Sequence, residues 1–179
     1  MQEISDFIGK SKFIYVSFGT TADITKGPKE LKDKFINAYK NARDLKFIWK
    51  WEGDSKTLNL PPNVYTAKWM PQQEILGNSS STIYLQQCKI FVNFDSWDSY
   101  YAFFAAHPQI VGFITHGGLL GTQEAIYHGV PMIAFPLFAE QDYNAERLSR
   151  MGRGIMMDIA TFTSQDLLDA IQAISANPM

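Results

Sequence analysis

Phe113-Ile-Thr-His-Gly-Gly-Leu-Leu-Gly-Thr-Gln-Glu124, running on through Gly129-Val-Pro131 to Glu140-Gln141, reads as strand, glycine turn, helix and strand in close succession. Val111 to Thr115 is an apolar, partly β-branched run of strand length. A helix follows from Thr122 to His128, ended by Gly129 at a natural C′ position, and Pro131 to Phe135 is the next strand. The glycine pair lets the backbone approach a ligand closely, and the helix aims its N-terminus at the same point. An anion there gains roughly 0.3–1 kcal/mol, about 2 kcal/mol if partly buried. His116 adds a donor that is neutral or cationic near pH 7.

The pattern repeats on both sides. Phe13 to Phe18, Leu45 to Trp49 and Asn63 to Trp69 are further strands, and Gly154 to Met157 is a sixth. Pro28 to Arg43 spaces Leu31, Phe35, Ile36 and Tyr39 as an amphipathic helix. Gln141 to Met151 is a helix stopped by Gly152, and Thr163-Ser-Gln-Asp166 is a capping box opening the last helix. Strands alternating with helices predict a Rossmann-like α/β fold, a parallel sheet with helices on both faces, in one domain over residues 1–179. Ligands in such sheets bind outside the carboxyl ends of the strands, where Gly19, His116-Gly-Gly118 and the loop from Pro136 to Gln141 fall.

Composition narrows the function. A 46% hydrophobic share and 19% charged share over 179 residues are those of a globular domain, and a net charge of −2 argues against nucleic acid as a partner. No run approaches eighteen apolar residues, and the N-terminus has neither the basic nor the apolar region of a signal peptide. A single cysteine, Cys88, excludes an internal disulfide and a cysteine-based zinc site.

Each loop has a plain reading beside the functional one. Phe18-Gly-Thr20 is a turn in any strand-to-loop junction, or a phosphate pocket lined by amides and by the Ser17 or Thr20 hydroxyl. His116 either caps a strand or holds an anion. Glu124 is a helix-start acid or an acceptor for a ribose diol. Trp69, before Pro71 and Gln72, is core or stacks a base, and Glu140-Gln141 is a solvated helix start or a pair for sugar hydroxyls. His-Gly-Gly also occurs in esterase oxyanion holes, but the G-x-S-x-G elbow such enzymes need is missing from this sequence.

Taken together, Trp69-x-Pro-Gln72, Thr115-His-Gly-Gly118, Glu124-Ala125, Gly129-Val-Pro131 and Glu140-Gln141 resemble the UDP-glycosyltransferases. These are family-1, two-domain GT-B enzymes that include animal glucuronosyl- and glucosyltransferases. The resemblance covers nearly the whole chain apart from residues 77–105 and implies the C-terminal, donor-binding half of a GT-B fold. It implies that Trp69 stacks on uracil, with the Met70 backbone at the base edge, and that Gln72 and Glu124 bind ribose. His116 and the amides of Gly118, Leu119, Leu120 and Gly121 would hold the diphosphate, helped by Ser17 or Thr20, and Glu140 and Gln141 would bind the sugar. Many relatives have Asp-Gln in place of Glu140-Gln141, and some have Asn-Ser in place of Leu120-Gly121. The reaction implied is inverting transfer of a hexosyl or glucuronosyl group from a UDP-sugar to the hydroxyl of a small lipophilic acceptor, without cofactor or metal. The base and acceptor pocket belong to the family's N-terminal half, so no catalytic residue is expected here. The resemblance further implies an endoplasmic reticulum membrane setting for full-length members, and oligomers with other members. The alternative is a non-catalytic UDP-sugar-binding module, a truncated isoform.

Residues 77–105 interrupt that pattern. Gln72 and His116 lie 44 positions apart; without the segment 15 would remain, as the family spacing wants, with an Ala-His-Pro turn after Leu76. Gly77-Asn78 can be encoded as a splice donor and Phe103-Phe-Ala-Ala106 as a pyrimidine-rich acceptor, so the segment reads as a retained intron, with a lineage-specific loop as the alternative. Reads of the transcript across Leu76 to His107 decide between them. If translated, so long a patternless loop is expected to emerge beside the site and displace Trp69 to Gln72 from the phosphate loop.

Overall fold

The computed structural model describes residues 2–20, 24–77 and 107–176. Most of the 77–105 segment, including Asn78 and Cys88, lies outside the described residues. Six strands form one parallel sheet: β1 (Phe13–Ser17), β2 (Lys46–Lys50), β3 (Val64–Ala67), β4 (Ile110–Thr115), β5 (Met132–Ala134) and β6 (Gly154–Met156), in the order 3-2-1-4-5-6. That is the dinucleotide-binding order, and its reversal falls between β1 and β4, which pair from Ile14 with Gly112 to Ser17 with Thr115.

Alternation along β1 sends successive side chains to opposite layers. Ile14 and Val16 enter a core shared with α2 (Lys29–Asn41) and α6 (Ser164–Ala176), around Phe35, Trp49, Phe135, Phe162 and Ile171. Phe13 and Tyr15 enter the opposite core, under α1 (Gln2–Ile8), α3 (Gln72–Leu76), α4 (Leu119–Tyr127) and α5 (Gln141–Arg150), with Ile48, Leu76, Phe113 and Leu148. The capping box forms as expected: Thr163 N–H and Oγ1 both donate to Asp166, whose N–H returns a bond to Thr163 Oγ1.

Three elements depart from the expectations. α1 had no prediction. Gln72, expected at a strand end, opens the short α3. α4 begins at Leu119 rather than Thr122, which moves Glu124 into its second turn.

The ends of the interrupting segment meet. His107 N–H donates to the Leu76 carbonyl at 3.2 Å, and Gly77 N–H donates to Gln73 O, closing α3. A Cβ on Gly77 would lie 2.5 Å from His128 Cε1, so any larger residue here makes the His128 ring shift. We expect a variant lacking residues 78–106, which joins Gly77 to His107, to melt cooperatively at or above the Tm of the parent. Removal of 77–105 puts Ala106 where Gly77 stands and is expected to be the less stable deletion. Thermal melts of both variants check this, and loss of a cooperative transition in the first would count against a self-sufficient core.

Candidate functional site

A cleft of about 510 Å³ opens at the carboxyl ends of β1 and β4. It is lined by Ser17, Thr20, Trp69, Met70, Gln72, His116, Gly118, Leu119, Leu120, Gly121, Glu124 and Glu140, twelve of the thirteen residues named from the sequence. The sheet explains why: β1 delivers Ser17 and β4 delivers His116 from adjacent strands, while α3 and α4 close the side.

His116 organises one end. Its ring lies against two glycines: a Cβ on Gly19 would sit 2.8 Å from His116 Cε1, and one on Gly118 only 2.4 Å from Nε2. Gly19 and Gly117 also hold φ of 74° and 80°, in the left-handed region that favours glycine. Burial lowers the His116 pKa, with Glu140 opposing, so the ring is neutral at pH 7. Gly118 caps α4 without a side-chain bond, leaving the first-turn amides directed at the cleft. Gly19 N–H donates to Ser17 Oγ at 3.4 Å, which leaves the Ser17 hydroxyl proton available to a ligand.

At the other end, Glu124 accepts from two amides of α3: Gln72 Nε2 at 2.5 Å and Gln73 Nε2 at 3.1 Å. This overturns the expectation that the interrupting segment displaces Trp69 to Gln72. The two halves of the site meet across 52 positions of sequence. Trp69 is 74% exposed at the rim, with Leu120 at 76%, whereas Met70 is buried beneath. A large aromatic side chain left this bare at the mouth of the cleft is not a core residue.

Glu140 reaches the cleft from the loop after β5. Ala139 before it, at φ 58°, is the one non-glycine residue with positive φ among those described, a conformation that costs energy and clusters at functional sites. Gln141 departs from the reading as a sugar ligand. Its side chain is buried, its Oε1 accepts from the amides of Leu137 and Phe138, and it does not line the cleft. A glutamine at a helix start serves either role, and sequence does not separate them.

The structure adds residues that went unnamed. Lys50, at the end of β2, lines the cleft, donates to Gly19 O at 2.9 Å and pairs with Glu52 at 3.1 Å, so it braces the turn behind His116. Its place one residue past an apolar strand was the available signal. Asn144, buried in α5, donates to Gly117 O at 3.0 Å and fixes the glycine turn from below; nothing local marks it. Tyr15 and Phe113 form part of the floor.

Among the described residues no cluster of histidine, cysteine and carboxylates is arranged to hold a metal, and no helix is long and apolar enough to cross a membrane.

The family model described as UDP-glucoronosyl and UDP-glucosyl transferase matches residues 102–179. UDP-glycosyltransferase UGT5 of Dactylopius coccus is 32% identical over 182 residues, covering 99% of this chain and 28% of its own length. UDP-glucuronosyltransferase 2B17 of Homo sapiens is 30% identical over 179 residues, covering 100% of this chain and 28% of its own. The chain thus spans little more than a quarter of these curated relatives. Among solved structures, the glycotransferase of kitacinnamycin superposes with a TM-score of 0.69 at 25% identity, over 95% of this chain and 36% of that one. Glycosyltransferase VinC in complex with DTDP shares the fold, with a TM-score of 0.64 at 18% identity over 94% of this chain and 34% of its own. With the Trp-x-Pro-Gln and His-Gly-Gly elements gathered on one Rossmann-like cleft, the chain belongs to the UDP-glycosyltransferase family.

Proposed function

We propose that this chain is the donor-binding domain of a UDP-glycosyltransferase, holding a UDP-sugar whose hexosyl or glucuronosyl group passes to the hydroxyl of a small lipophilic acceptor with inversion. The observation that carries the reading is the convergence of Trp69, Gln72, His116 and Glu124 on one cleft at the β1/β4 switch point. Uracil stacks on Trp69, and the ribose hydroxyls replace the glutamine amides as partners of Glu124. The diphosphate lies against the first turn of α4 and His116, and Glu140 faces the sugar. In the transfer, the acceptor oxygen bonds to the anomeric carbon, its proton passing to the base of the family's other half, while the bond from that carbon to the β-phosphate oxygen breaks. The charge gathering on UDP is stabilised by the α4 amides, which need no reorganisation because they already point there. Base and acceptor pocket come from the family's other half, so the chain alone is expected to show no turnover. The full-length protein is assigned to the endoplasmic reticulum membrane on the same family grounds, where it can associate with other members.

Calorimetry with UDP tests the reading. We expect saturable binding by the wild type, weakened by about tenfold in Glu124→Ala, the size of a hydrogen-bonded charged acceptor. Absence of binding would refute the donor site, and turnover by the chain alone would refute the missing base.

A further inference from the structure

Tyr15 occupies an unusual place for a core residue. Its ring is buried in β1 and stacks on Phe113, with centroids 5.2 Å apart and planes 13° apart, so the side chain is fixed. Its hydroxyl nevertheless makes no hydrogen bond of acceptable geometry within the protein, the Ser17 hydroxyl being near it but not bonded, and the residue lines the floor of the cleft. Ser17 lies two residues along the same strand and on the same face. Burial pushes the hydroxyl up to about 12, the nearby Ser17 hydroxyl opposing and the Glu124 carboxylate adding to it, so at neutral pH the group is a donor. Ser17 and Glu124, the residues at the phosphate end and the ribose end, line the same cleft as Tyr15.

We propose that the Tyr15 hydroxyl is a further ligand of the nucleotide, donating a hydrogen bond to the ribose–phosphate side of bound UDP between Ser17 and Glu124. The inference rests on the donor-site reading and deepens it. A buried hydroxyl without a partner is a standing penalty in the free protein, relieved when an acceptor arrives. The fixed ring means the donor is held in place before the ligand binds, so little ordering is needed to form the bond. Tyr39 supplies the internal contrast. Its hydroxyl is equally buried and unpartnered, but it faces the α2 core and does not line the cleft.

Tyr15→Phe and Tyr39→Phe, measured by UDP calorimetry and by melting without ligand, decide the matter. In Tyr15→Phe we expect UDP affinity to fall about tenfold while the Tm of the free protein stays equal or rises. In Tyr39→Phe, UDP affinity is expected to stay unchanged. Unchanged UDP affinity in Tyr15→Phe beside a wild type that binds would overturn the inference and leave the donor site standing. A lowered Tm in unliganded Tyr15→Phe would also overturn it, because the hydroxyl would then have a partner within the fold. A wild type that binds no UDP would refute the donor-site reading itself, and the inference with it.

Discussion

Trp69→Ala is expected to lower UDP affinity by about 5- to 150-fold while leaving the Tm of the free protein nearly unchanged. The magnitude is that of losing one base stacked on one aromatic face, roughly 1–3 kcal/mol. The separation of the two readouts follows from exposure. With 74% of its surface in solvent, the Trp69 side chain contributes little burial to the fold, so its removal leaves no core cavity. A tryptophan serving the core would behave in the opposite way, losing several kcal/mol of stability with affinity falling only as the fold weakens. Isothermal calorimetry paired with thermal melts distinguishes the two. An unchanged UDP affinity would remove Trp69 from the site and leave the uracil without a platform.

How much of this was legible in the sequence depends on whether the signal was local. The strands announced themselves because a buried parallel strand is a short apolar run, and the glycines at 19 and 117 punctuate the ends of two of them, while Gly129 closes a helix. The capping box at Thr163 and Asp166 was equally local. α1 was not, since seven residues offer only Ile4 and Ile8 as a buried pair. Part of what holds it is a contact from far away: Lys46 Nζ donates to the carbonyls of Phe7 and Ile8 at the helix end.

The site divides along the same line. His116, the glycine pair and Glu124 sit in one uninterrupted stretch whose spacing carries the chemistry. Trp69 was open between core and base stacking until the family resemblance chose, Gln72 was legible only through that resemblance, and their apparent distance from the loop misled. Separation along the chain says little about separation in space once a parallel crossover intervenes, and here Leu76 and His107 meet through one hydrogen bond. Asn144 and Gln73 were invisible, and Lys50 was marked only by its place at a strand end, for a further reason. Each acts on another residue of the site, and sequence does not record which backbone carbonyl or carboxylate a side chain will meet.

Phe35→Ala is expected to cost about 3–5 kcal/mol of stability, the largest loss from any single change considered. Phe35 is fully buried on α2, and its ring meets those of Phe18, Tyr39, Trp49, Phe135 and Phe162 at centroid distances between 5.1 and 6.2 Å. It therefore joins α2 to β2, to the residues just past β1 and β5, and to the approach to α6, and its removal leaves a cavity that five flat, interlocked rings fill poorly. Against a total of roughly 5–15 kcal/mol for a domain, that is a large share. It corresponds to a fall in Tm of about 6–20 °C at the 2–4 °C per kcal/mol usual for this size. Because Phe35 lies on the face of the sheet away from α3 and α4, the cleft of the remaining folded molecules should be intact. UDP at about a hundred times its Kd should then restore about 2.7 kcal/mol by mass action and raise the Tm of the variant. The same UDP concentration added to a Phe35→Ala, Trp69→Ala double variant should restore less, by the share that stacking contributes. Equal recovery in both would show that the ligand stabilises the domain through some surface other than this cleft, and a Phe35→Ala variant as stable as the parent would mean that the aromatic cluster is not what joins the helices to the sheet.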